Sequence, residues 1–418
     1  MRVIAVEGGH RLHGELTVQG AKNSVLPILA ASVLSAGTCV IDNCPVLEDV
    51  EASSAILRRL GCRVSRTGET LTVDSSALTC WDIPDDLMRR MRSSVIFLGA
   101  ILARCGRAEL SYPGGCELGP RPIDIHLAAL RALGARIDEC GGRLQCRSDG
   151  LRGTEIVLPL PSVGATENAM LAACGAAGVT VISNAAREPE IVDLQRFLRG
   201  MGARVRGAGS STVIVEGGHG LHGCRHRCIG DRIAAATYLS AAAAAGGDVV
   251  LRGVDYRHVS TVTTVLRQAG CCVSCDEACI RLQSRGVLRG VSPIRTSPYP
   301  GFPTDAQAVV MAALLRSHGT TMFVENMFQS RYRHVGELLR MGADIRSEGR
   351  VAVLCGVPRL SGAAVRCTDL RGGAALVVAG LQADGITQVE EIRHIKRGYG
   401  DLTGDLARLG AAIQETER

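Results

Sequence analysis

A short pattern of residues occurs six times along this chain and constrains its fold more than any other feature. Each copy has an apolar residue, a glycine, a small residue, a variable residue and a β-branched residue. The glycines follow one another at intervals of 73, 68, 68, 72 and 68 residues. They are Gly61, Gly134, Gly202, Gly270, Gly342 and Gly410. Because apolar residues at helical spacing lie upstream, as at Ile191, Leu194 and Leu198, each glycine is predicted to end a helix before a strand.

A second pattern also occurs six times, between the copies of the first. In it an alanine-rich helical stretch ends near a glycine and runs into a segment predicted to be a strand. These glycines are Gly37, Gly106, Gly178, Gly246, Gly319 and Gly385. Each repeat of roughly 70 residues therefore contains two helices and several strands.

The six repeats divide naturally into two groups of three. A chain of 418 residues is too long for one ordinary core and is expected to form two domains. If the first strand, Arg2 to Val6, pairs with the last repeat, one domain comprises residues 1–20 plus 230–418 and the other residues 21–229. The two chain crossings, near Ala21 and Gly230, then form a hinge, which suits an enzyme that closes on its ligands. The repeat alone is equally compatible with a scaffold, so function depends on residues that break the pattern.

Composition excludes several classes of function. The net charge of +6 is mild and no basic run appears, which argues against nucleic acid as a partner and favours a small anionic ligand. The longest apolar run, residues 234–245, is too short to span a membrane, and Glu7 interrupts the apolar N-terminus. Seventeen cysteines without an export signal indicate reduced thiols and a cytoplasmic location.

The segment 110–124 is rich in glycine and proline and carries one thiol, Cys116, and one guanidinium, Arg121. Such a loop can be mobile, and it combines a potential proton donor with a potential anion site. Other cations also stand at the predicted ends of repeats, where arginine suits phosphate and carboxylate groups. They are Lys22, Arg92, Arg187, Arg232, Arg331, Arg371 and Arg397.

Asp305 follows a proline-rich turn and precedes a predicted helix from Ala306 to Leu315. Considered alone, it is interpreted as the residue that caps this helix. A carboxylate at this position is also able to take a proton from a hydroxyl nucleophile.

Three other patterns are interpreted as structural. Gly218, Gly220 and Gly223 have dinucleotide-binding spacing, but no apolar helix and no ribose-binding acid follow. Cys224, His226 and Cys228 would share one strand face, so a zinc site is conceivable, although the spacing matches no common zinc pattern. Residues 272–275 are interpreted as a strand with buried thiols rather than as a redox pair.

Eight short sequences resemble those of UDP-N-acetylglucosamine 1-carboxyvinyltransferases, which belong with the EPSP synthases to the enolpyruvyl transferase family. They occur in the family's order and extend over essentially the whole chain. They are residues 19–23, 113–116, 121–124, 162–166, 186–190, 302–305, 368–371 and 397–399.

The resemblance implies an α/β fold, an inverted α/β barrel pair (α/β prism) with three repeats in each of two domains. It also implies transfer of the enolpyruvyl group of phosphoenolpyruvate to the sugar 3-hydroxyl of UDP-N-acetylglucosamine, with release of phosphate. This is the first committed step of peptidoglycan precursor synthesis. The two substrates are the implied partners, and no metal, organic cofactor or obligate protein partner is implied.

The reaction needs a proton donor and a base, because C3 of the enol is protonated while the hydroxyl attacks C2. By resemblance, Cys116 is the donor, which fosfomycin-type epoxides would alkylate, and Asp305 is the base. Lys22, Arg121 and Arg397 would hold phosphate and carboxylate.

The remaining residues implied by the resemblance bind the nucleotide sugar or line the site. Asn23 would bind the amino sugar, and backbone groups of residues 162–164 would bind the diphosphate. The full set of substrate-binding residues is Lys22, Asn23, Arg92, Arg121, Pro122, Ile123, Asp124, Ile125, Ser162, Val163, Gly164, Asp305, Met327, Arg331, Asp369, Arg371 and Arg397.

Four residues depart from the family pattern: Pro120, Ala234, Met327 and Lys396. Ala234 stands where relatives usually carry Glu, and Lys396 where they often carry Asp. Two alternatives therefore stay open: a paralogue that binds the UDP-sugar without turnover, and the related enzyme that acts on shikimate 3-phosphate. The Cys116 loop and residues 121–124 favour the nucleotide sugar.

Overall fold

The computed structural model describes residues 2–112, 123–276 and 279–417. Within them the chain forms 24 strands and 14 α-helices. The strands are β1 (Arg2–Glu7), β2 (Leu12–Thr17), β3 (Thr38–Asp42), β4 (Arg63–Thr67), β5 (Thr70–Asp74), β6 (Asp82–Ile83), β7 (Arg107–Ser111), β8 (Arg136–Cys140), β9 (Arg143–Arg147), β10 (Glu155–Val157), β11 (Gly178–Ser183), β12 (Arg204–Arg206), β13 (Thr212–Gly217), β14 (Arg225–Arg227), β15 (Gly247–Arg252), β16 (Cys272–Cys275), β17 (Cys279–Ser284), β18 (Ile294–Arg295), β19 (Thr320–Val324), β20 (Asp344–Glu348), β21 (Val351–Cys355), β22 (Ala364–Arg366), β23 (Ile386–Glu390) and β24 (Ala412–Glu417). The helices are α1 (Lys22–Ala31), α2 (Glu48–Arg59), α3 (Asp85–Arg90), α4 (Phe97–Cys105), α5 (Asp124–Ala132), α6 (Val163–Cys174), α7 (Pro189–Gly200), α8 (Arg232–Ala245), α9 (Ser260–Gln268), α10 (Thr304–Ala313), α11 (Val335–Arg340), α12 (Leu370–Gly380), α13 (Arg393–Lys396) and α14 (Leu402–Arg408).

The described strands form six four-stranded sheets with one topology. Their orders are β14-β3-β5-β4, β6-β7-β9-β8, β10-β11-β13-β12, β2-β15-β17-β16, β18-β19-β21-β20 and β22-β23-β1-β24. In each order the first two strands are parallel and the other neighbours antiparallel. The six sequence repeats are therefore six copies of one structural unit, as the two glycine patterns predicted.

The glycines of the first pattern end helices as predicted. All six have positive φ angles, between 92° and 107°. This left-handed conformation is strained for residues with a Cβ, which explains why glycine occurs at the same place in every repeat.

The chain divides into two compact units. The terminal unit contains the described residues up to Gln19 and from Gly230 onward, and the internal unit contains those from Gly20 to Ile229. In the terminal unit α8, α10 and α12 are buried along almost their whole length and pack on one another. Alternate residues of the surrounding strands face them, which gives this unit a core of Ala, Val, Leu and Ile. The internal unit has a separate core that includes α1, α4 and α6.

Strands from the N-terminus complete two sheets of the terminal unit. β1 lies between β23 and β24, with Ile4 opposite Val389 and Arg2 opposite Glu417. β2 runs parallel to β15, with Leu12 opposite Gly247. Each unit thus contains three complete sheets, and the first strand belongs to the sheet of the last repeat.

None of the described helices combines the length and the apolar character that crossing a membrane requires.

Candidate active site

The Asp305 carboxylate of the terminal unit lies between two buried guanidinium groups. Arg331 Nη2 donates to Oδ1 at 2.8 Å, and Arg371 Nη2 donates to Oδ2 at 3.0 Å. The two arginine side chains are 2% and 4% exposed, whereas the Asp305 side chain is 28% exposed. These three residues are called the Asp305 cluster. It fixes the orientation of a carboxylate that solvent still reaches, and it concentrates positive charge beside it.

Helix α10 positions Asp305 in its first turn. The residue that caps this helix is Pro303, and its side chain makes no capping hydrogen bond. The interpretation of Asp305 as the cap was therefore wrong, because its carboxylate instead binds two arginines from other segments. Thr304 also anchors the turn: its hydroxyl donates to Glu325 Oε2 at 2.9 Å, and its carbonyl accepts from Arg331 at 3.0 Å.

Helix α12 positions Arg371, which lies in its first turn. Asp369 caps this helix and accepts hydrogen bonds from the backbone N–H groups of Arg371 and Gly372, each at 3.0 Å. Burial is the largest single effect and opposes the charge of Arg371, but Asp305, Tyr399 and Asp231 together outweigh it and raise the pKa of the guanidinium above its ordinary value. Arg371 is therefore charged at neutral pH.

A buried histidine lies beside this cluster. His334 is 1% exposed, and neither ring nitrogen has a hydrogen-bond partner among the described residues. Burial lowers the pKa of His334 from 6.5 to about 4, although Asp369 acts in the opposite direction. The ring is therefore neutral at pH 7.

We expect His334 to make folding stability depend on pH. Between pH 6.5 and about 4 the unfolded chain binds a proton that the folded chain does not. The contribution is present above pH 6.5 and is lost as the pH falls through this window, up to roughly 3 kcal/mol. Urea denaturation of wild type and His334→Gln at pH 7 and pH 4.5 measures it. The variant should lose less stability on acidification than wild type.

His10→Gln is the control for that experiment, because His10 is exposed. It should show the same pH dependence as wild type. Parallel pH profiles for wild type and His334→Gln would contradict the prediction.

Two other predicted residues of the terminal unit are Met327, which follows β19, and Arg397, which follows α13. The Met327 backbone N–H donates to Glu325 Oε1 at 2.8 Å, and the Met327 side chain is 37% exposed. Arg397 directly follows α13. Its neighbour Lys396 forms an ion pair with Glu415 at 2.9 Å.

In the internal unit, Lys22 begins α1 and forms an ion pair with Asp49 of α2. The Lys22 Nζ to Asp49 Oδ2 distance is 2.7 Å, and the two residues are only 8% and 2% exposed. Asn23 follows in the same turn. The Ser24 hydroxyl donates to Asp193 Oδ2 at 2.5 Å. The first turn of α1 is therefore held by two carboxylates, which fixes the direction of the Lys22 side chain.

The helices that carry the other predicted nucleotide-binding residues begin close together in the internal unit. Asp124 begins α5, preceded by Ile123, and Val163 begins α6. His126 of α5 lies against Gly164 so closely that a Cβ there would be 2.8 Å from the ring. Its Nδ1 is 2.8 Å from Asn168 Nδ2 of α6. Two helix N-termini in this arrangement present backbone N–H groups and partial positive charge suited to a diphosphate.

Three predicted residues, Cys116, Arg121 and Pro122, lie outside the described residues, as does Pro120. Arg92 begins a 3-10 turn, Arg92–Ile96. Ile125 lies in the first turn of α5, and Ser162 caps α6, its hydroxyl accepting from the Ala165 N–H at 3.4 Å.

The residues considered for zinc have other surroundings in the structure. His226 Nε2 is 3.0 Å from Asp193 Oδ1. Cys228 is 2% exposed, and burial raises the pKa of its thiol well above the ordinary value. In the part of the chain that the structure describes, no group of three or more His, Cys, Asp or Glu side chains is arranged to hold a metal ion.

Sequence reasoning missed several residues that support the site. No role was assigned to Asp49, because an acidic residue near the start of a helix is common and indicates no particular function. No pattern in the sequence indicated a role for His334. Tyr399 was part of a family motif but carried no role, and Thr237 lies in an alanine-rich helix that was interpreted only as core.

Sequence comparison identifies related proteins over nearly the whole chain. The family profile of EPSP synthase (3-phosphoshikimate 1-carboxyvinyltransferase) matches residues 6–406. UDP-N-acetylglucosamine 1-carboxyvinyltransferase 2 of Caldanaerobacter subterraneus is 48% identical, covering 98% of this chain and 98% of that relative. UDP-N-acetylglucosamine 1-carboxyvinyltransferase 1 of Symbiobacterium thermophilum is 50% identical, covering 98% and 94%.

Solved structures agree in fold. The enolpyruvyl transferase NikO from Streptomyces tendae superposes with a TM-score of 0.89 at 25% identity, covering 99% of both chains. EPSP synthase from Acinetobacter baumannii superposes with a TM-score of 0.77 at 19% identity over the full length of both chains. The expected two-domain inverted α/β fold is therefore confirmed.

Proposed function

The chain belongs to the EPSP synthase family of enolpyruvyl transferases, and we propose that it transfers the enolpyruvyl group of phosphoenolpyruvate to the 3-hydroxyl of UDP-N-acetylglucosamine. Phosphate is the second product. The observation that carries this proposal is the 44–50% identity over 98–100% of the chain to relatives that bear this enzyme name. The product is a precursor of peptidoglycan, so the reaction serves cell-wall synthesis.

Asp305 is the proposed base for the sugar hydroxyl. Its carboxylate is held by Arg331 and Arg371 at 2.8 and 3.0 Å, so its direction is fixed before substrate binds. The two buried guanidinium groups stabilise the ionised form of this carboxylate, which is the form that can take a proton. They also offer positive charge beside the phosphate as it leaves.

Cys116 is the proposed donor of the proton that reaches C3. The hydroxyl oxygen then bonds to C2 and gives a tetrahedral phospho-intermediate. Loss of a C3 proton restores the double bond as the C2–O bond to phosphate breaks, so atoms and charge balance. Lys22, Arg121 and Arg397 are proposed to bind the phosphate and carboxylate, with the Lys22 side chain oriented by Asp49 at 2.7 Å.

The start of helices α5 and α6 is the proposed nucleotide-binding region. Support comes from the two helix N-termini, whose backbone N–H groups suit a diphosphate. Val163 and Gly164 begin α6, which Ser162 caps, and Asp124 and Ile125 begin α5, which Ile123 precedes. Arg92, Asn23 and Met327 complete the proposed recognition of the sugar and the nucleotide.

The rival acceptor is shikimate 3-phosphate, which the description of the matching family profile suggests. Curated relatives at 44–50% identity favour the nucleotide sugar, since they are named for it, while the EPSP synthase structures share only 19–20% identity. We propose a cytoplasmic location, in keeping with the sixteen free thiols of the described residues.

Phosphate release from phosphoenolpyruvate tests the function. We expect release with UDP-N-acetylglucosamine, none with shikimate 3-phosphate, and a slower reaction in Cys116→Ala. Release with shikimate 3-phosphate alone would assign the other acceptor. Binding of the nucleotide sugar without any release would favour a paralogue that has lost turnover, with Ala234 the first residue to restore to Glu.

A further inference from the structure

A series of buried hydroxyl groups begins at the terminal nitrogen of Arg371 that does not bind Asp305. Arg371 Nη1 donates to the Tyr399 hydroxyl at 3.4 Å, and that hydroxyl is 2.7 Å from Thr237 Oγ1. The Thr237 hydroxyl in turn reaches the Ile233 carbonyl at 3.0 Å. Tyr399 is 1% exposed and Thr237 fully buried, so these groups are shielded from water.

The donor and acceptor of each hydrogen bond in this series follow from the two groups at its ends, the Arg371 guanidinium and the Ile233 carbonyl. A backbone carbonyl only accepts, so the Thr237 hydroxyl donates its single proton to Ile233. Its oxygen is then the acceptor for the Tyr399 O–H. Tyr399 keeps this proton, because burial raises its pKa despite the opposing effect of Arg371. The phenol oxygen therefore accepts from Arg371, which has only donors.

Tyr399 is itself fixed from both sides along the backbone. The Gln19 side chain donates to the Gly398 carbonyl and accepts from the Gly400 N–H, both at 2.9 Å. Thr237 belongs to the middle of the buried helix α8. The phenol oxygen that accepts from Arg371 is thus held in place by the backbone contacts on either side of Tyr399 and by Thr237.

We propose that Tyr399, supported by Thr237, is a positioning residue for the transfer reaction: it holds the Arg371 guanidinium at the angle at which Arg371 orients Asp305. The inference rests on the proposed role of Asp305 as the base. It assigns an effect on the chemical step to a phenol that acts through Arg371.

Arg371 has few alternatives to this contact. Its Nε has no hydrogen-bond partner among the described residues, and its other terminal nitrogen is engaged by Asp305. Without the phenol oxygen, Nη1 would be left in a buried place without an acceptor, which is costly for a charged group. The guanidinium is then expected to rotate, and Asp305 to move with it.

Tyr399→Phe removes the one oxygen and keeps the ring. We expect kcat to fall about tenfold, the factor that the loss of a weak hydrogen bond to a charged group predicts. The KM values for both substrates should stay within about twofold, since the loss affects the transition state and not ground-state binding. Phosphate release at saturating substrate measures both.

Tyr238→Phe is the matched control. Tyr238 is as buried as Tyr399, and its hydroxyl donates to Asp405 instead of accepting from Arg371. This variant should lose stability but keep the wild-type kcat. Equal falls of kcat in the two variants would mean that loss of any buried phenol has this effect, and would overturn the proposal.

Two further comparisons separate positioning from general packing. Thr237→Val should lower kcat, whereas Thr237→Ser should keep the wild-type kcat, because the proposed effect of Thr237 depends on its hydroxyl group alone. Tyr399→Phe should have no further effect on kcat in an Arg371→Lys background, since both changes act through one contact. Additive effects, or equal rates for the valine and serine variants, would contradict the inference.

Failure of the proposed function is distinguishable from failure of this inference. If wild type releases no phosphate with UDP-N-acetylglucosamine, the function is wrong, and a crystal structure of Tyr399→Phe then tests the positioning directly. The inference requires the 3.0 Å contact between Arg371 Nη2 and Asp305 Oδ2 to be broken or displaced. An unchanged contact would overturn it.

Discussion

Asp305→Asn is expected to lower the rate of phosphate release by roughly 10²- to 10⁴-fold, the contribution typical of a general base. The amide cannot take the proton of the sugar hydroxyl. Stability should also fall, because an amide offers one acceptor oxygen where Asp305 offers two. One of the two buried guanidiniums, Arg331 or Arg371, would then face an NH₂ group. We expect a loss of about 2 kcal/mol, measured by urea denaturation.

Binding measurements separate the two effects of this substitution. Calorimetric titration of Asp305→Asn with UDP-N-acetylglucosamine should give an affinity close to that of wild type if the carboxylate acts mainly in the chemical step. Asp401→Asn is a suitable control, since Asp401 is an exposed helix cap. Turnover by Asp305→Asn within about tenfold of wild type would exclude Asp305 as the base.

Lys22→Met is expected to have the second large effect, on both stability and rate. It removes the ammonium group that lies 2.7 Å from the buried Asp49 carboxylate. Loss of one partner of a buried ion pair costs about 3–5 kcal/mol. The rate should fall by about 10²- to 10³-fold, as when one group that stabilises developing anionic charge is lost.

The double variant Lys22→Met/Asp49→Asn tells these consequences apart. Neutralising Asp49 removes the buried negative charge that Lys22 balances in wild type, so urea denaturation should show most of the lost stability restored. Phosphate release should stay as slow as in Lys22→Met, because the cation for the substrate is still missing. Recovery of the rate together with stability would show that Lys22 has only a structural role.

The repeats could be predicted from the sequence because their signal is local. The positive φ angle that ends a helix requires glycine at equivalent positions, such as Gly61 and Gly410, and the helix and strand patterns between these glycines are short. Six copies strengthened a pattern that would be weak alone. The pairing of β1 with the last repeat was considered because the first strand precedes the first complete repeat, and the structure shows this pairing.

The Asp305 cluster could not be predicted in the same way. A capping rule considers only the few residues around Asp305, whereas its partners are 26 and 66 positions away in the chain. Tyr399 and Thr237 are separated by 162 residues. Contacts over such distances depend on how the three buried helices of the terminal unit pack, which the sequence pattern does not specify. The resemblance identified Asp305, Arg331, Asp369 and Arg371 as site residues, but it did not indicate the contacts by which Arg331 and Arg371 hold Asp305.

The placement of β1 and β2 also dictates an order of events during synthesis. These strands leave the ribosome first, yet Leu12 pairs with Gly247 and Ile4 with Val389. The internal unit has all its strands once Arg227 has been made, so its three sheets can form while translation continues. The nascent chain meanwhile carries two strands with unpaired backbone groups, which are templates for wrong association. β2 can pair as soon as β15 has been made, whereas β1 has no partner until β23 and β24 follow, so the sheet of the last repeat is the last that the terminal unit can form.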